Sequence, residues 1–396
     1  MKQIALTYRS FPSRQQIELP YSKSIVARRL LLAYMQNKPL PPLPEEEEAY
    51  SLCNEDILVV WRAVHQLRQR PEGETIQIDC GSSATAMRFL MIVAIYERCA
   101  TFLIGSPQLM KRIEQDDCSF FALMGAECQL HDCGVAITPY LPAKRVHLTT
   151  QWKSSQYCSA ILICNRALDH EVSFEFSDQS PSYSYLRLTQ ELLAEEQSNT
   201  LERDWSAATF WYQLTMSHPE ALDIEFPGLQ TNSLQPDALI QRDALQMGIS
   251  SEQIGDALQA IGSTGEERIG EAHIHIEQHL DSFLPLALTY IRNRKPFRII
   301  GTSNLRYKES NRIASFLEAM EWYNVGGFSI TDNEISWDGT WGDLPEMVMI
   351  NPHGDHRVAM AFAVFAVTLP RITTVLLDPD CIAKSYPRFL DQLLGN

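Results

Sequence analysis

Four segments of the chain hold charged and hydroxyl side chains at spacings suited to anion chemistry. Ser22-Lys23-Ser24 is followed by Arg28, one helical turn beyond Ser24, so Lys23 and Arg28 can face one pocket. Lys308, Glu309 and Arg312 follow Asn304 at spacings of three and four, which would set them on one helical face near its N-terminus. Asp355-His356-Arg357 opens a further helical pattern, and Lys384 lies in CIAKSYPRF near the C-terminus. Phosphate and carboxylate ligands call for guanidinium forks and ammonium point charges, and a carboxylate such as Glu309 between two cations suits proton transfer. Taken singly, each segment reads as a surface ion pair. Taken together, all four sit at segment starts, where an α/β cleft gathers groups that are far apart in sequence.

The elements that must position these groups alternate between strand and helix. Short apolar or alternating runs over 4–8, 75–78, 100–104, 145–148, 297–300 and 373–377 read as strands. Runs with 3.6-residue periodicity lie between them, as where Ile313, Phe316, Leu317 and Met320 share a face. An α/β or α+β fold follows. Six times a short segment rich in Ser, Thr or Gly leads straight into an apolar helix, from Tyr21, Cys80, Trp152, Arg203, Tyr307 and Gly354, three in each half of the chain. Such residues cap the free N–H groups of a helix start, and several starts facing one cleft would aim their partial positive charges at a common anion. Every helix needs a cap, so one such start means little. Basic residues accompany five of the six, and that favours the anion reading. The Pro-rich and then acidic stretch 38–48 reads as a solvated loop, and the polar stretch 194–200 as a domain crossover.

The chain has 396 residues, which at about 100–200 per domain suggests two or three domains and a core that needs no staples. A net charge of -16 excludes a general nucleic-acid or membrane-surface binder, since both need a basic face. It leaves room for small anions at a local basic cluster. The nine cysteines are odd in number and show no C-x-x-C pair, so they read as reduced, mostly buried thiols of a cytoplasmic protein. No apolar signal region follows Met1, and the longest apolar stretch, 358–369, falls short of the ~20 residues of a membrane span. The glycines form no nucleotide-binding pattern. His273 and His275 would share one strand face, but with His279 they show no clear third-ligand pattern and read as a polar strand face rather than a metal centre.

Eight motifs, in order from Leu19 to Leu393, give the chain a resemblance to the 5-enolpyruvylshikimate-3-phosphate synthases. The family's LPGSKSISNRALLL is LPYSKSIVARRLLL here; GNAGTAMRPL is GSSATAMRFL; SSQF is SSQY; SKPYIDITL resembles SYSYLRLTQ; GDASSASYF resembles RDWSAATFW; NWRVKETDR is NLRYKESNR; NDHRMAM is GDHRVAM; and LDPKCTAKTFP is LDPDCIAKSYP. The resemblance implies an α/β (α+β) fold of two similar domains, each of three β-α-β-α-β-β units in an inside-out, barrel-like arrangement. A double crossover hinge, near 19–22 and 202–204, would join residues 1–20 with 205–396 as one domain and 21–204 as the other.

The resemblance also implies the activity, which is transfer of the enolpyruvyl group of phosphoenolpyruvate to the 5-hydroxyl of shikimate 3-phosphate with release of phosphate. Position by position, Lys23, Asp281 and Glu309 match the catalytic residues. Lys23, Ser24, Arg28, Ser154, Ser155, Gln156, Ser182, Tyr185, Asp281, Asn304 and Lys308 match the shikimate 3-phosphate site. Lys23, Ala84, Arg112, Gln156, Arg312, His356, Arg357 and Lys384 match the phosphoenolpyruvate site. No metal or organic cofactor is implied, and a cytoplasmic monomer acting on small molecules, with no nucleic-acid or membrane partner, is expected.

The sequence departs from the family at several points. Ser82 and Ala84 replace a motif asparagine and glycine, Tyr21 a glycine and Ala27 an asparagine. Ala84 adds a methyl group beside the phosphoenolpyruvate position, a change that in this family disfavours the longer inhibitor glyphosate. The stretches 69–79 and 193–201 leave little room for hairpins, so the second domain is expected to have trimmed units. The alternatives are transfer to another acceptor such as UDP-N-acetylglucosamine, whose enzyme carries a reactive cysteine in the loop matching IGSPQLMKR, or a non-catalytic homologue that binds phosphometabolites. The loop here has no cysteine, and Lys23, Asp281 and Glu309 are all present.

Overall fold

The computed structural model describes residues 2–40, 52–71, 73–113, 118–140, 146–149, 154–167, 172–177, 182–195, 201–218, 222–262 and 272–395. The chain forms two compact units. One comprises Met1–Ser22, Tyr50–Leu52 and Glu202–Asn396, and the other Lys23–Ala49 and Cys53–Leu201. The first, discontinuous unit opens with strands β1 (Gln3–Leu6) and β2 (Arg14–Gln16).

The second unit begins with two helices that pack on each other, α1 (Lys23–Met35) and α2 (Glu55–Gln69). Then follow β3 (Ile76–Asp79), α3 (Ala84–Tyr96), β4 (Thr101–Ile104), α4 (Pro107–Met110), β5 (Ala126–His131) and β6 (Gly134–Pro139). Their sheet has the order β3-β4-β6-β5, with β3 parallel to β4 and the other pairs antiparallel. Next come β7 (Val146–Leu148), α5 (Ser155–Ala167), β8 (Val172–Phe174) and α6 (Tyr183–Ala194), whose two strands pair in parallel. The first of these repeats has four strands. Among the described residues, the β7–β8 repeat has no hairpin and the α1–α2 pair has no strand. The trimming expected from the short stretches near 69–79 is therefore visible, as α2 leads into β3 without a hairpin. Helix α3 is apolar on every side (ATAMRFLMIVAIY) and is buried at all positions but Arg88, as a helix without a polar face must be.

The first unit resumes with α7 (Trp205–Ser217), β9 (Asp223–Pro227), α8 (Ile240–Leu245), β10 (Ile249–Ile254) and β11 (Ala257–Gly262), in a sheet of order β10-β11-β9-β2. A second sheet, β12-β13-β15-β14, is built from β12 (Ala272–His275), α9 (Phe283–Arg292), β13 (Phe297–Ile300), α10 (Arg312–Trp322), β14 (Phe328–Ile330) and β15 (Glu334–Trp337). Both follow one plan, a parallel β-α-β pair with a hairpin added at its side. The third repeat holds β16 (Met347–Ile350), α11 (His356–Thr368), β17 (Thr373–Leu377) and α12 (Phe389–Leu394). It borrows its third strand from the other end of the chain. β1 runs antiparallel to β17, with Gln3 opposite Leu377, and the order is β1-β17-β16. Helices α7, α9 and α11 pack on one another, and every residue of α11 is buried, so helices form the inside of this unit and sheets its flanks.

One side chain ties the two segments at the ends of this unit together. Gln235 Oε1 accepts from Ser22 Oγ at 2.7 Å and from Trp205 N at 3.0 Å, while Nε2 donates to Glu202 Oε1 at 2.9 Å and to Arg203 O at 2.7 Å. Beside it the Arg203 guanidinium lies 4.5 Å above the Tyr21 ring, which gives a role to the aromatic residue that replaces the motif glycine. Gln235→Leu keeps the bulk and removes four bonds in a buried setting. At ~1 kcal/mol each, urea unfolding should show a loss of about 3–4 kcal/mol in this unit, and a loss below about 1 kcal/mol would rule the clasp out.

Two expected strands, 297–300 and 373–377, stand as read, and three others shift by a residue or two because the ladder ends where the partner ends. β1 stops at Leu6, β3 covers 76–79 and β4 starts at Thr101. Residue 145 of the fourth, residues 41–48 of the acidic loop and residues 196–200 of the crossover stretch lie outside the described residues. The cysteine reading needs a correction. Cys118 and Cys128 are paired, their Cα atoms 5.4 Å apart, while Cys53, Cys80, Cys99, Cys158 and Cys164 are buried thiols. A spacing of ten along the chain carries no pairing signal; the turn that folds 118 back beside β5 creates it.

Candidate active site

In the first unit, two carboxylates lie beside cations, three at Asp281 and one at Glu309. Asp281 sits in the 3₁₀ turn Leu280–Ser282. Its Oδ1 accepts from Arg312 Nη1 at 2.7 Å and lies 3.7 Å from Lys308 Nζ, and its Oδ2 lies 2.9 Å from Arg357 Nη2. Arg312 is 2 % exposed and its Nε also donates to Asp355 Oδ2 at 2.9 Å. Glu309 is the second carboxylate. Lys384 Nζ donates to its Oε1 at 2.9 Å, and His356 Nδ1 is 2.8 Å from its Oε2.

The local sequence explains the placement. Asp355 caps α11, accepting from Arg357 N at 2.9 Å, and Asn311 caps α10, accepting from Ala314 N at 3.1 Å. Because Asn311 is the cap, helix α10 starts at Arg312. Lys308 and Glu309 therefore precede the helix, after the 3₁₀ turn Ser303–Tyr307 that holds Asn304. The shared helical face expected of 308, 309 and 312 is not formed; an irregular loop brings these groups into the cluster instead.

The charges follow from these contacts. Burial pushes the Asp281 carboxyl up, but Arg357, Lys308 and Arg312 together hold it well below the ordinary range. Burial likewise opposes charge on Asp355, and Arg312 overcomes it. Lys308 is lowered by burial, only partly offset by Asp281. His356 is lowered by burial despite Glu309. Arg357 Nη1 lies 3.1 Å from His356 Nε2; arginine can only donate, so that nitrogen accepts and the ring hydrogen sits on Nδ1, toward Glu309. Asp237, which Ser206 Oγ bonds, is pushed up to about 7 by burial and by the Asp281 charge. Among the described residues, Glu309, Asp355 and His356 bring three potential metal ligands within 4.8 Å of one another, but Lys384 and Arg312 already occupy the two carboxylates.

In the second unit, Lys23 is the first residue of α1, and its Nζ lies 3.1 Å from Asp56 Oδ2. Ser83, the cap of α3, donates to the other Asp56 oxygen. Gly81 has φ +52°, and a Cβ there would collide with Glu55 Oε1, the atom that accepts from Ser82 N at 2.9 Å. The Ser82 hydroxyl pairs with Ser106 at 3.0 Å, and Ala84 is the first residue of α3. Gln156 Nε2 donates to Thr85 Oγ1 at 2.8 Å, and Ser154 Oγ bonds both the amide and the side chain of Gln156 at 3.3 Å. Arg88 joins two expected ligand residues, donating to Gln156 Oε1 and to Arg112 O, both at 2.9 Å. Ser155 opens α5, and Ser182 and Tyr185 lie at the start of α6.

Arg28 is buried, 4% exposed, and its partners are hydroxyls and carbonyls rather than carboxylates. Its guanidinium donates to Thr189 Oγ1 at 2.7 Å, Ser24 O at 2.8 Å, Ser159 Oγ at 3.2 Å and Tyr185 O at 3.3 Å, and burial lowers it to about 10. It ties α1, α5 and α6 together. Sequence reasoning missed Asp56, Arg88 and Asp237 as partners of the site, and it named Asp355 without its bond to Arg312. Arg88 lay inside a quoted motif, where a charged residue near an assigned ligand was the available signal.

Comparison with known proteins identifies the family and the fold. The family profile described as EPSP synthase (3-phosphoshikimate 1-carboxyvinyltransferase) matches residues 51–195 and 189–393. A Bacteroides fragilis protein named 3-phosphoshikimate 1-carboxyvinyltransferase is 28% identical over 95% of this chain and 94% of its own length. One of the same name from Methanoculleus marisnigri is 26% identical over 82% and 80%. In structure, EPSP synthase from Acinetobacter baumannii superposes over 100% of this chain and 98% of its own with a TM-score of 0.68 at 18% identity. The enolpyruvyl transferase NikO from Streptomyces tendae gives 0.67 at 14% identity over 99% and 97%. At these identities the structural likeness establishes the two-domain fold.

Proposed function

The chain belongs to the EPSP synthase family, and we propose that it performs the family's reaction with Lys23, Asp281 and Glu309 as its catalytic groups. It is a transferase of the shikimate pathway that moves the enolpyruvyl group of phosphoenolpyruvate to the 5-hydroxyl of shikimate 3-phosphate and releases phosphate. The observation that carries the residue assignment is the pair of carboxylates, Asp281 amid the cations Arg312, Arg357 and Lys308, and Glu309 between the cation Lys384 and the neutral ring of His356.

The chemistry needs a proton delivered to the methylene carbon of phosphoenolpyruvate and one removed from the attacking hydroxyl, followed by loss of phosphate from the tetrahedral intermediate. Asp281 takes the hydroxyl proton. Paired as it is, the carboxylate is a weak base. The anionic groups of phosphoenolpyruvate compete for Arg312 and Arg357, and each cation they draw off raises the basicity of Asp281. Binding of one substrate thus activates the base for the other. Glu309 and Lys23 exchange the proton at the methylene carbon, and a neutral His356 keeps its Nδ1 hydrogen toward Glu309. Arg112, Arg312, Arg357 and Lys384, with His356, Gln156 and Ala84, hold phosphoenolpyruvate and stabilise charge on the leaving phosphate. Ser24, Ser154, Ser155, Gln156, Ser182, Tyr185, Asn304 and Lys308 hold shikimate 3-phosphate, with Arg28 bonded to the Ser24 and Tyr185 carbonyls beside them.

The test is phosphate release on mixing the protein with both substrates. Release that requires shikimate 3-phosphate supports the reading; release with UDP-N-acetylglucosamine in its place, or none with either, rejects it. The net charge is -16, and among the described residues no helix is long and apolar enough to cross a membrane.

Ala84 yields a separate expectation. It is 4% exposed at the first position of α3, so its methyl group has little room to move. Glyphosate should inhibit the protein weakly in competition with phosphoenolpyruvate, and Ala84→Gly should tighten inhibition by about tenfold or more, the equivalent of about 1.4 kcal/mol. Tight competitive inhibition of the unaltered chain would reject this.

A further inference from the structure

The two most deeply buried arginines of the cluster residues are paired in opposite ways. Arg312 is answered by two carboxylates, Asp281 and Asp355. Arg28, on α1, meets only neutral groups among the described residues, although a buried charge is costly unless it is paired and arginine stays charged at neutral pH. Its Nε donates to Thr189 Oγ1 on α6 at 2.7 Å, and its Nη2 to Ser159 Oγ on α5 at 3.2 Å. Thr189 and Ser159 are 1% and 0% exposed, and their hydroxyl oxygens lie 2.8 Å apart. Thr189 Oγ1 is also 3.0 Å from the Tyr185 carbonyl, which accepts from Nη2. The network closes on itself and fixes the plane of the guanidinium. Phe89 of α3, where the family motif has proline, sets its ring 5.5 Å from Arg28 Cζ, a neutral face that favours a cation. Nη1 donates to Ser24 O and carries a second hydrogen, which no described residue accepts.

We propose that Thr189 and Ser159 are positioning residues for shikimate 3-phosphate, which hold the Arg28 guanidinium by neutral hydrogen bonds and so leave its charge for the anionic substrate to answer. The proposal rests on the enolpyruvyl-transfer reading. A carboxylate at either position would neutralise the arginine before any substrate arrived. An apolar side chain would strand a buried N–H and leave the fork free to turn. Hydroxyls do neither, because each accepts from the guanidinium and keeps its own hydrogen for the other hydroxyl or for the Tyr185 carbonyl. Ser24 and Tyr185, both matched to the shikimate 3-phosphate site, lend their carbonyls to the same guanidinium, so the charge is held beside them. The incoming anion then meets a cation already desolvated and oriented, and little has to be ordered on binding.

Thr189→Val is the decisive variant because it keeps the shape and removes the hydroxyl. Calorimetry should show Kd for shikimate 3-phosphate rising about tenfold, the effect of one lost bond to a charged group. Thr189→Ser, which restores the oxygen, should stay within about twofold of the unaltered chain. Ser159→Ala should weaken binding by about threefold to tenfold, and it carries the comparison if the valine variant folds poorly. In turnover the loss should fall on KM for shikimate 3-phosphate, with kcat and KM for phosphoenolpyruvate within about threefold. Arg28→Gln, which keeps a donor but not the charge, should weaken shikimate 3-phosphate by about a hundredfold. Adding Thr189→Val to it should cost nothing further, since the hydroxyl acts through the arginine. A packing role alone would lower kcat and both affinities together with the melting temperature, and its effect would add to that of Arg28→Gln. That result, or an unchanged Kd in both Thr189→Val and Ser159→Ala, would overturn the proposal. An unaltered chain that binds no shikimate 3-phosphate would reject the reading beneath it and the proposal with it.

Discussion

Glu309→Gln should lower kcat for phosphate release by about 10²–10⁴-fold, the usual cost of losing a proton-transfer group. Glutamine preserves the length and one hydrogen-bond acceptor, so Lys384, which donates to Glu309 Oε1 at 2.9 Å, keeps a partner and the fold has little reason to change. What is lost is the exchangeable proton, together with the charge that His356 Nδ1 faces at 2.8 Å. The loss should therefore fall on kcat, while calorimetry finds phosphoenolpyruvate and shikimate 3-phosphate binding within about fivefold of the unaltered chain. Glu309→Ala should be at least as slow. A kcat within about threefold of the original in either variant would remove Glu309 from the chemistry.

Arg312→Met should give the largest loss of stability of any substitution in the site. Arg312 is 2% exposed and bridges two buried carboxylates, Asp281 at 2.7 Å and Asp355 at 2.9 Å. Removing one member of a buried ionic cluster strands the others, at a cost of about 3–5 kcal/mol. The pH dependence identifies the cause. In the intact protein both carboxyls are held below their ordinary value despite burial, Asp281 by Arg357, Lys308 and Arg312, and Asp355 by Arg312. They contribute stability that is present above the ordinary carboxylate pKa and lost as pH falls through the depressed values. In the methionine variant both pKa values rise, so acid relieves the variant while it weakens the original. Urea unfolding at pH 7 and near pH 4 should show the gap between the two shrinking on acidification. A gap that stays constant or widens would mean that lost packing, not stranded charge, is responsible.

Much of the site was legible because its groups sit at helix starts, where capping and charge leave marks in the sequence. Asp355-His356-Arg357 and Ser83-Ala84 are of this kind, since the cap residue fixes the register of the next turn. Lys308 and Glu309 were misread because residues three or four apart suggest a helix, whereas Asn311 delays α10 to Arg312. Arg28 showed its charge but not its partners. Whether a guanidinium meets a ligand or Thr189 and Ser159 depends on contacts more than 100 residues away, and no local pattern encodes them. His279 illustrates the same limit. It reads as the third histidine of AHIHIEQH, yet the chain turns after Ile276 and buries the ring against Asp243. Strand cores were readable from alternation and strand ends were not, since an end is set by the neighbouring strand.

The pairing of Gln3 with Leu377 has a consequence for synthesis on the ribosome. Everything in the unit Lys23–Ala49 and Cys53–Leu201 is translated by the midpoint and can collapse early, as units complete in sequence do. β1 emerges before every other strand named above and finds its ladder only when 373–377 emerge. Until then its edge is an unsatisfied template for other strands, so nascent chains stalled before β17 should be the aggregation-prone species in a cell that makes this protein.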